Sequence, residues 1–325
     1  MHAYIVQEPS GDFREIVLPR PTLKTNQVLV KVHASGVNPL DAKIRAGKAA
    51  HAKQPLPAIL GLDMAGTVEE VAPGVTAFQP GDEVYGMVGG VGGLQGTLAE
   101  FIAVDADLLA RKPKNLSMRE VAALPLVTIT AWEGLVDRAQ VHAGQAVLIH
   151  AGAGGVGHIA VQIARAYGAQ VFATVSPGKK KVVEDFGATP IDYRSSSVEE
   201  YVAANTAGKG FDVVYDTVGG ATLDASFIAA KRYTGHVLSC FGWGSHSLAP
   251  LSFRGATYSG VFTLMPLITG EGRAHHGEIL AQAAALAEAG KLRPLLSEQQ
   301  FSVQDIAAAH ALVESVPLGK VVIEF

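Results

Sequence analysis

Residues 147–169 read VLIHAGAGGVGHIAVQIARAYGA, an apolar run, a cluster of glycines, then apolar residues at helical spacing. Gly152, Gly154 and Gly157 satisfy G-x-G-x-x-G, a spacing with physical meaning only where a strand precedes it and a helix follows. Both flanks meet that condition. Gly152 permits the tight turn, Gly154 lets a pyrophosphate approach backbone N–H groups at the helix N-terminus, and Gly157 lets helix and sheet pack closely. Ala153, Gly155 and Val156 complete the loop. The next strand-like run, QVFATV, closes a βαβ frame of about 30 residues, the context that separates a dinucleotide loop from an ordinary glycine-rich turn.

The end of that second strand selects the nucleotide. An acid about 20 residues after the motif holds the ribose 2′-hydroxyl of NAD, but here the text is ATVSPGKKK. Ser176 offers a hydroxyl, and Lys179, Lys180 and Lys181 stand where the next helix begins. Cations in a helix's first turn oppose its dipole, and a 2′-phosphate supplies the compensating charge; the competing reading is a solvated lysine run. Tyr193, after the third strand, lies on the same carboxyl edge, with Arg194 beside it. The expected cofactor is NADP(H). Further contacts are expected where open α/β sheets collect ligands, at Val218 after FDVVYDT and at Cys240, Phe241 and Gly242 after GHVLS. Phe262 and Leu264, in GVFTLM, are placed along the nicotinamide. Simple packing is the rival reading for each of these, and Cys240 lacks an adjacent base or cation that would activate it.

Around this segment, strand-like and helix-like runs alternate from about residue 145 to 240, the pattern of a doubly wound parallel sheet. Residues 1 to about 110 are instead short β-like runs between Gly, Pro and Asp turns, the rhythm of a small β-barrel. A helical run from Ser117, with Glu120 at capping-box spacing, marks the change. The tail, with helices from Glu278 to Ala289 and near Asp305–Ser315 and a final strand GKVVIEF, reads as the β domain resumed. The division expected is 1–121, 122–266 and 267–325, the middle portion being the nucleotide-binding one. His275 and His276 are assigned to a linker, and His150 and His158 to a strand end and a helix surface.

The 325 residues carry a net charge of −4 with 48% hydrophobic and 17% charged residues, which gives no global basic field for nucleic acid or anionic membranes. A single cysteine, Cys240, rules out an internal disulfide and any multi-thiolate metal cage. The start MHAYIVQEPSG alternates like a strand and is not Arg-rich or long and apolar, and no run reaches about 18 uninterrupted apolar residues. A cytoplasmic protein is expected.

Six segments in order resemble the medium-chain dehydrogenase/reductases, in their zinc-free quinone oxidoreductase (zeta-crystallin-like) branch: VHASGVNPLDAKIRAG at 32–47, LPAILGLDMAGTVEEVAPGV at 56–75, FQPGDEVYG at 78–86, ALPLVTITAWEGL at 123–135, the glycine-bearing stretch at 147–169, and LGKVVIEF at 318–325. The resemblance implies a GroES-like β-barrel substrate domain with an inserted Rossmann domain, and a nucleotide in the cleft between them. It also implies a homodimer or tetramer, through TYSGVFTLMPL, the alternative for that apolar segment being domain core. Zinc alcohol dehydrogenases of this superfamily carry a cysteine ligand where Asn38 stands and a histidine where this chain has Leu62. No metal is therefore expected, and without a Lewis acid alcohol oxidation loses its usual device.

The expected reaction is NADPH-dependent hydride transfer to a quinone or α,β-unsaturated carbonyl. Asn38 is the best polar group for the acceptor oxygen or the nicotinamide, its alternative role being a turn residue before Pro39. Asp41 is assigned to ordering that loop. Thr130 resembles the family position beside the nicotinamide, its alternative being a helix-core hydroxyl bonded backward to a carbonyl. No catalytic acid emerges. An NADPH-binding regulatory or structural protein, or a zinc-free dehydrogenase of simple alcohols, are the competing functions.

Overall fold

The computed structural model describes residues 1–325. From the N-terminus run β1 (His2–Val6), β2 (Phe13–Val17), β3 (Gln27–Val37), α1 (Pro39–Arg45), β4 (Ala58–Ile59), β5 (Asp63–Val71), β6 (Glu83–Met87), β7 (Phe101–Asp105), β8 (Leu109–Arg111), α2 (Met118–Ala122) and α3 (Pro125–Trp132). The alternating portion follows as β9 (Ala146–Ile149), α4 (Gly155–Ala166), β10 (Gln170–Val175), α5 (Lys180–Asp185), β11 (Thr189–Asp192), α6 (Val198–Thr206), β12 (Val213–Asp216), α7 (Ala221–Ala229), β13 (His236–Ser239), α8 (Ala249–Ser252) and β14 (Thr257–Gly260). The chain ends with α9 (Met265–Thr269), α10 (Arg273–Glu288), β15 (Phe301–Ser302), α11 (Ile306–Glu314) and β16 (Val321–Glu324). No helix is long and apolar enough to cross a membrane.

Two compact units result, Met1–Ile129 with Leu264–Phe325, and Thr130–Thr263. The divisions fall at 129/130 and 263/264, where composition placed them at 121/122 and 266/267. The reason for the first difference is local. Helix α2 packs on β3 and β5, and the N–H of Leu126, in the first turn of α3, donates to Asp63 Oδ1 (3.0 Å). The start of the helical run therefore belongs with the β-rich unit.

In that unit a seven-stranded sheet runs β15-β16-β3-β5-β6-β8, with β7 also paired to β3. The long strand β3 is its hub, and its sequence QVLVKVHASGV buries nearly every residue. Gly36 is required there, because a Cβ would lie 2.1 Å from the Ala122 carbonyl oxygen of α2. Two registers at the end of β3 bring residues distant in sequence together: Gly36 pairs with Asp63 of β5, and Val37 with Val321 of β16.

The second unit is a six-stranded parallel sheet in the order β11-β10-β9-β12-β13-β14. Its aliphatic strands are buried on both faces, as a parallel sheet demands, over a core that includes Leu148, Phe172, Phe211, Val214, Phe227 and Val237. The winding reverses between β9 and β12, which fixes the topological switch point of a Rossmann-type sheet.

Some expectations are corrected in detail. The run 117–139 is not one helix: α2 ends at Ala122, α3 restarts at Pro125, and a π-helical turn spans Glu133–Arg138, since a proline cannot donate into a continuing ladder. His275 and His276 lie inside α10 rather than in a linker, and His276 is fully buried. His158 is 1% exposed, not a surface residue; its ring Nδ1 donates to the Gly154 carbonyl at the start of its own helix (2.9 Å).

Candidate functional site

The glycine loop joins β9 to α4 at the switch point. Its left-handed residue is Ala151 (φ 52°), not a glycine. Each glycine instead answers a close approach. A Cβ on Gly152 would stand 2.5 Å from the Ala173 side chain of β10, one on Gly154 3.1 Å from the Ala151 carbonyl oxygen, and one on Gly157 2.1 Å from that same oxygen. The first backbone bond into the helix is His158 N–H to Gly154 O (3.0 Å). The N–H groups of Gly155, Val156 and Gly157 are thus left without intrahelical acceptors, and Gly154 at the N-cap has no side chain to supply one. These donors, at the positive end of a 12-residue helix, fit a diphosphate. Ala153 is buried in the same turn.

Residues flanking the loop hold it in place. Thr174 Oγ1, from β10, accepts the Ala151 N–H (3.1 Å) and meets His150 Nδ1 (3.2 Å), while Thr217 Oγ1 donates to the His150 carbonyl (2.7 Å). Burial pushes the His150 imidazole down to about 4, so the ring is neutral at physiological pH.

At the end of β10 the lysine run divides. Lys181 pairs with Asp185 one turn on in α5, and Lys180 Nζ lies 3.5 Å from Asp192 Oδ2 at the end of β11. Lys179, half-buried in the turn after Ser176, forms no ion pair. Ser176 flanks that turn as its N-cap, and Tyr193 is 52% exposed with the Arg194 guanidinium 5.8 Å from its ring centre. Ser176, Lys179, Lys180 and Tyr193 thus occupy the carboxyl ends of the adjacent strands β10 and β11.

Across the switch point, Asp216 ends β12 fully buried. Its carboxylate accepts the N–H groups of Val218 (3.0 Å) and Gly219 (2.9 Å) and the Ser239 hydroxyl (2.7 Å). That carboxylate fixes the loops bearing the other expected contacts. Val218 is 51% exposed. Phe241 donates its N–H to Ser239 Oγ (3.0 Å), and Gly242 leaves no room for a Cβ beside the Tyr258 hydroxyl. Burial and the Asp216 charge push the Cys240 thiol up to about 12, away from the thiolate that a nucleophile needs. Phe262 packs edge-on against Trp243 (6.3 Å between ring centres). Leu264 is buried at the start of the returning segment of the other unit.

Thr130 is 5% exposed, and its hydroxyl lies 3.5 Å from that of Thr263. Its carbonyl accepts the Tyr215 hydroxyl of β12 (2.6 Å). Immediately beyond, the π-helical turn brings Gly134 against the Tyr215 ring, where a Cβ would meet ring atoms at 2.8 Å. A hydroxyl from the sheet thus holds the helix where its ladder changes.

In the β-rich unit the strand registers assemble a buried polar cluster. Asn38 is 1% exposed at the N-cap of α1. Its N–H donates to Asp41 Oδ2 (2.8 Å), its Nδ2 donates to Asp63 Oδ2 (2.9 Å), and its Oδ1 accepts from the Lys320 ammonium. Lys320 precedes β16 and is 5% exposed. Burial pushes Asp41 up to about 7 and Asp63 to about 6, the latter restrained by Lys320 and its hydrogen bonds, while burial lowers Lys320. Asp41 orders the loop, as its position suggests, and its Oδ1 is buried without a partner. Sequence reading missed Asp63 and Lys320 as members of this site. Both lie in family-like segments, GLD and LGKVVIEF, but nothing in their spacing links them to residue 38. Asp216 was missed too, although it ends a strand at the switch point.

Residues 24–114 match the alcohol dehydrogenase GroES-like domain, and residues 186–323 match the zinc-binding dehydrogenase domain. The chain is 36% identical over 312 residues to the 2-methylene-furan-3-one reductase of Solanum lycopersicum and to the chloroplastic NADPH-dependent alkenal/one oxidoreductase of Arabidopsis thaliana; each alignment covers 93% of this chain and 73% of the relative. Among solved structures, an alcohol dehydrogenase superfamily protein from Novosphingobium aromaticivorans superimposes with a TM-score of 0.98 at 58% identity, covering 100% of this chain and 99% of that one. A GroES-like domain with a Rossmann-type sheet defines an oxidoreductase of the alcohol dehydrogenase class. The chain belongs to the medium-chain dehydrogenase/reductase superfamily, among its quinone oxidoreductase-like members.

The zinc in one domain's name does not fit the residues present. No group of three His, Cys, Asp or Glu side chains stands where it can hold a metal ion, and at position 62 the side chain is a fully buried leucine.

Proposed function

We propose that this protein uses NADPH to reduce an α,β-unsaturated carbonyl, or a quinone, without zinc. One observation carries the reading: an uncapped glycine-rich helix N-terminus beside an acid-free, lysine-bearing strand end, in a chain 36% identical to an NADPH-dependent alkenal/one oxidoreductase. The N–H groups of Gly155, Val156 and Gly157 would hold the diphosphate, and Ser176 and Lys179, with Lys180 and Tyr193 alongside, the 2′-phosphate. Val218, Cys240, Phe241, Gly242, Phe262 and Leu264 would shape the nicotinamide end. NADPH, when bound, supplies the hydride.

Hydride addition to a conjugated carbonyl places negative charge on its oxygen, so the protein's task is to offer a hydrogen-bond donor there and to keep water out. Asn38 and Thr130 are the groups assigned to the acceptor and nicotinamide. An electron-poor acceptor needs no Lewis acid to accept hydride, whereas alcohol oxidation needs the proton removed first. This difference, with the unsuitable donor set, supports the zinc-free reading.

Anaerobic mixing of the purified protein and NADPH with a panel of enals, enones, quinones, ketones and alcohols tests the proposal. Turnover of enals, enones or quinones is expected. Saturable NADPH binding with no acceptor-dependent oxidation would assign the chain to the binding proteins instead, and turnover confined to simple ketones and alcohols would replace the acceptor class.

A further inference from the structure

We infer that Lys320 is a positioning residue for the proposed reaction: with Asp63 it fixes which way the Asn38 amide faces, so that the group presents a donor rather than an acceptor. This rests on the reading of the chain as a carbonyl-activating reductase. A primary amide keeps its shape when turned by 180°, exchanging an acceptor for a pair of donors. At Asn38 the two orientations are far from equivalent. Lys320 has only donors and touches Oδ1; ionised Asp63 has only acceptors and takes a hydrogen from Nδ2 at 2.9 Å. The flipped amide would set NH₂ against an ammonium and oxygen against a carboxylate.

The backbone of the same residue is held separately, its N–H on Asp41 Oδ2. Asp41 in α1, Asp63 in β5 and Lys320 before β16 therefore grip one residue from three elements, and the Val37–Val321 and Gly36–Asp63 registers deliver two of them. Lys320 also reaches the Val37 carbonyl at 3.4 Å. Burying three ionisable groups costs desolvation that apolar packing would avoid, while three hydrogen bonds at one residue fix its orientation. The Asn38 amide nitrogen thus sits among carboxylates, on Asp63 Oδ2 and beside Asp41. A donor is what an oxygen gaining negative charge requires, and the buried ammonium that secures it lies where the donor set suits no divalent metal.

A double-mutant cycle between Lys320→Met and Asn38→Ala, read by acceptor kcat and KM, separates this role from structural support. Lys320→Met is expected to lower kcat about 100-fold, the scale of a misoriented group, with acceptor KM and NADPH affinity within about threefold. The same change made on Asn38→Ala is expected to add almost nothing, and Lys320→Arg to recover most of the loss. A second, activity-independent readout is the pair of Asn38 side-chain amide proton signals in the NMR spectrum, identified by their loss in Asn38→Ala. They should be well separated in the native protein and in Lys320→Arg, and should shift and converge in Lys320→Met. Should Lys320→Met fail to fold, Asp63→Asn removes the obligate acceptor and enters the same cycle. Equal losses on both backgrounds, or amide signals untouched by the substitution, would overturn the inference. If the native protein reduces no acceptor in the panel, the proposed function falls, and the amide signals alone decide the orientation lock.

Discussion

At residue scale the proposed preference for NADPH comes down to which lysine is uncommitted. Three consecutive lysines look alike in sequence, but Lys181 is neutralised by Asp185 and Lys180 shares Asp192, whereas Lys179 has no carboxylate. Replacing Lys179 and Lys180 together with Ala should weaken NADPH by about 10- to 100-fold, the value of one or two charge-assisted contacts, and leave NADH within a few-fold. Lys181→Ala should do neither. Equal losses for both nucleotides, measured by titration of intrinsic fluorescence, would remove the 2′-phosphate from the explanation. The glycines show how far a motif reaches. G-x-G-x-x-G correctly marks the loop, yet the tight turn that glycine is expected to make falls on Ala151, and Gly157 serves to clear the Ala151 carbonyl. Gly157→Ala should therefore destabilise by about 1–3 kcal/mol through overpacking and reduce affinity for both nucleotides alike. Equilibrium unfolding and nucleotide titration of the variant measure the two effects.

At the scale of elements, the meeting of β3, β5, α1 and β16 concentrates ionisable groups in a dry interior, and stability there responds to pH. Burial raises Asp41 to about 7, above its unfolded value near 4. Between those two values the folded chain holds a proton that the unfolded chain has lost, so this group's contribution to stability falls as pH rises from about 4 to about 7 and is flat beyond. Asp63, raised to about 6, acts in the same direction. Asp41→Asn keeps an oxygen for the Asn38 N–H but has no proton to lose. Its urea midpoint should rise relative to the native protein as pH goes from 5 to 8; a difference that shrinks over that range would contradict the assignment. The cluster was hidden from sequence reading for a physical reason. Lys320 and Asn38 are 282 residues apart, and only the antiparallel register of the last strand on β3 brings them together. By contrast, the capping box at Ser117–Glu120 is formed as its spacing suggests, because three residues suffice to build it. The π-helical turn at Glu133–Arg138 left no readable signal, since the run up to it is apolar and helix-like throughout.

At the scale of the whole molecule, alternating strands and helices made the parallel sheet legible because each βα repeat is a local event. The units' borders were less so, because α2 and the start of α3 are helical in sequence yet pack with the β-rich unit. The sheet ends in β14, whose outer edge is unpaired within the chain. We propose that this edge joins its counterpart in a second copy, since an open strand edge is a ready template for pairing. Light scattering after size exclusion should give twice the chain mass or a multiple of it, and Gly260→Pro, which removes a donor on the outer edge because the N–H groups of Thr257 and Val261 face β13, should yield monomer; a native monomer at micromolar concentration would contradict this. The central claim concerns the reaction itself. The most direct test is rapid mixing of the NADPH-loaded protein, without added metal and after chelator treatment, with a conjugated enone and its saturated ketone. NADPH should be oxidised in step with loss of the carbon–carbon double bond, at a rate the chelator does not change, while the saturated ketone is left untouched; oxidation with the ketone alone, or activity abolished by the chelator, would contradict the account.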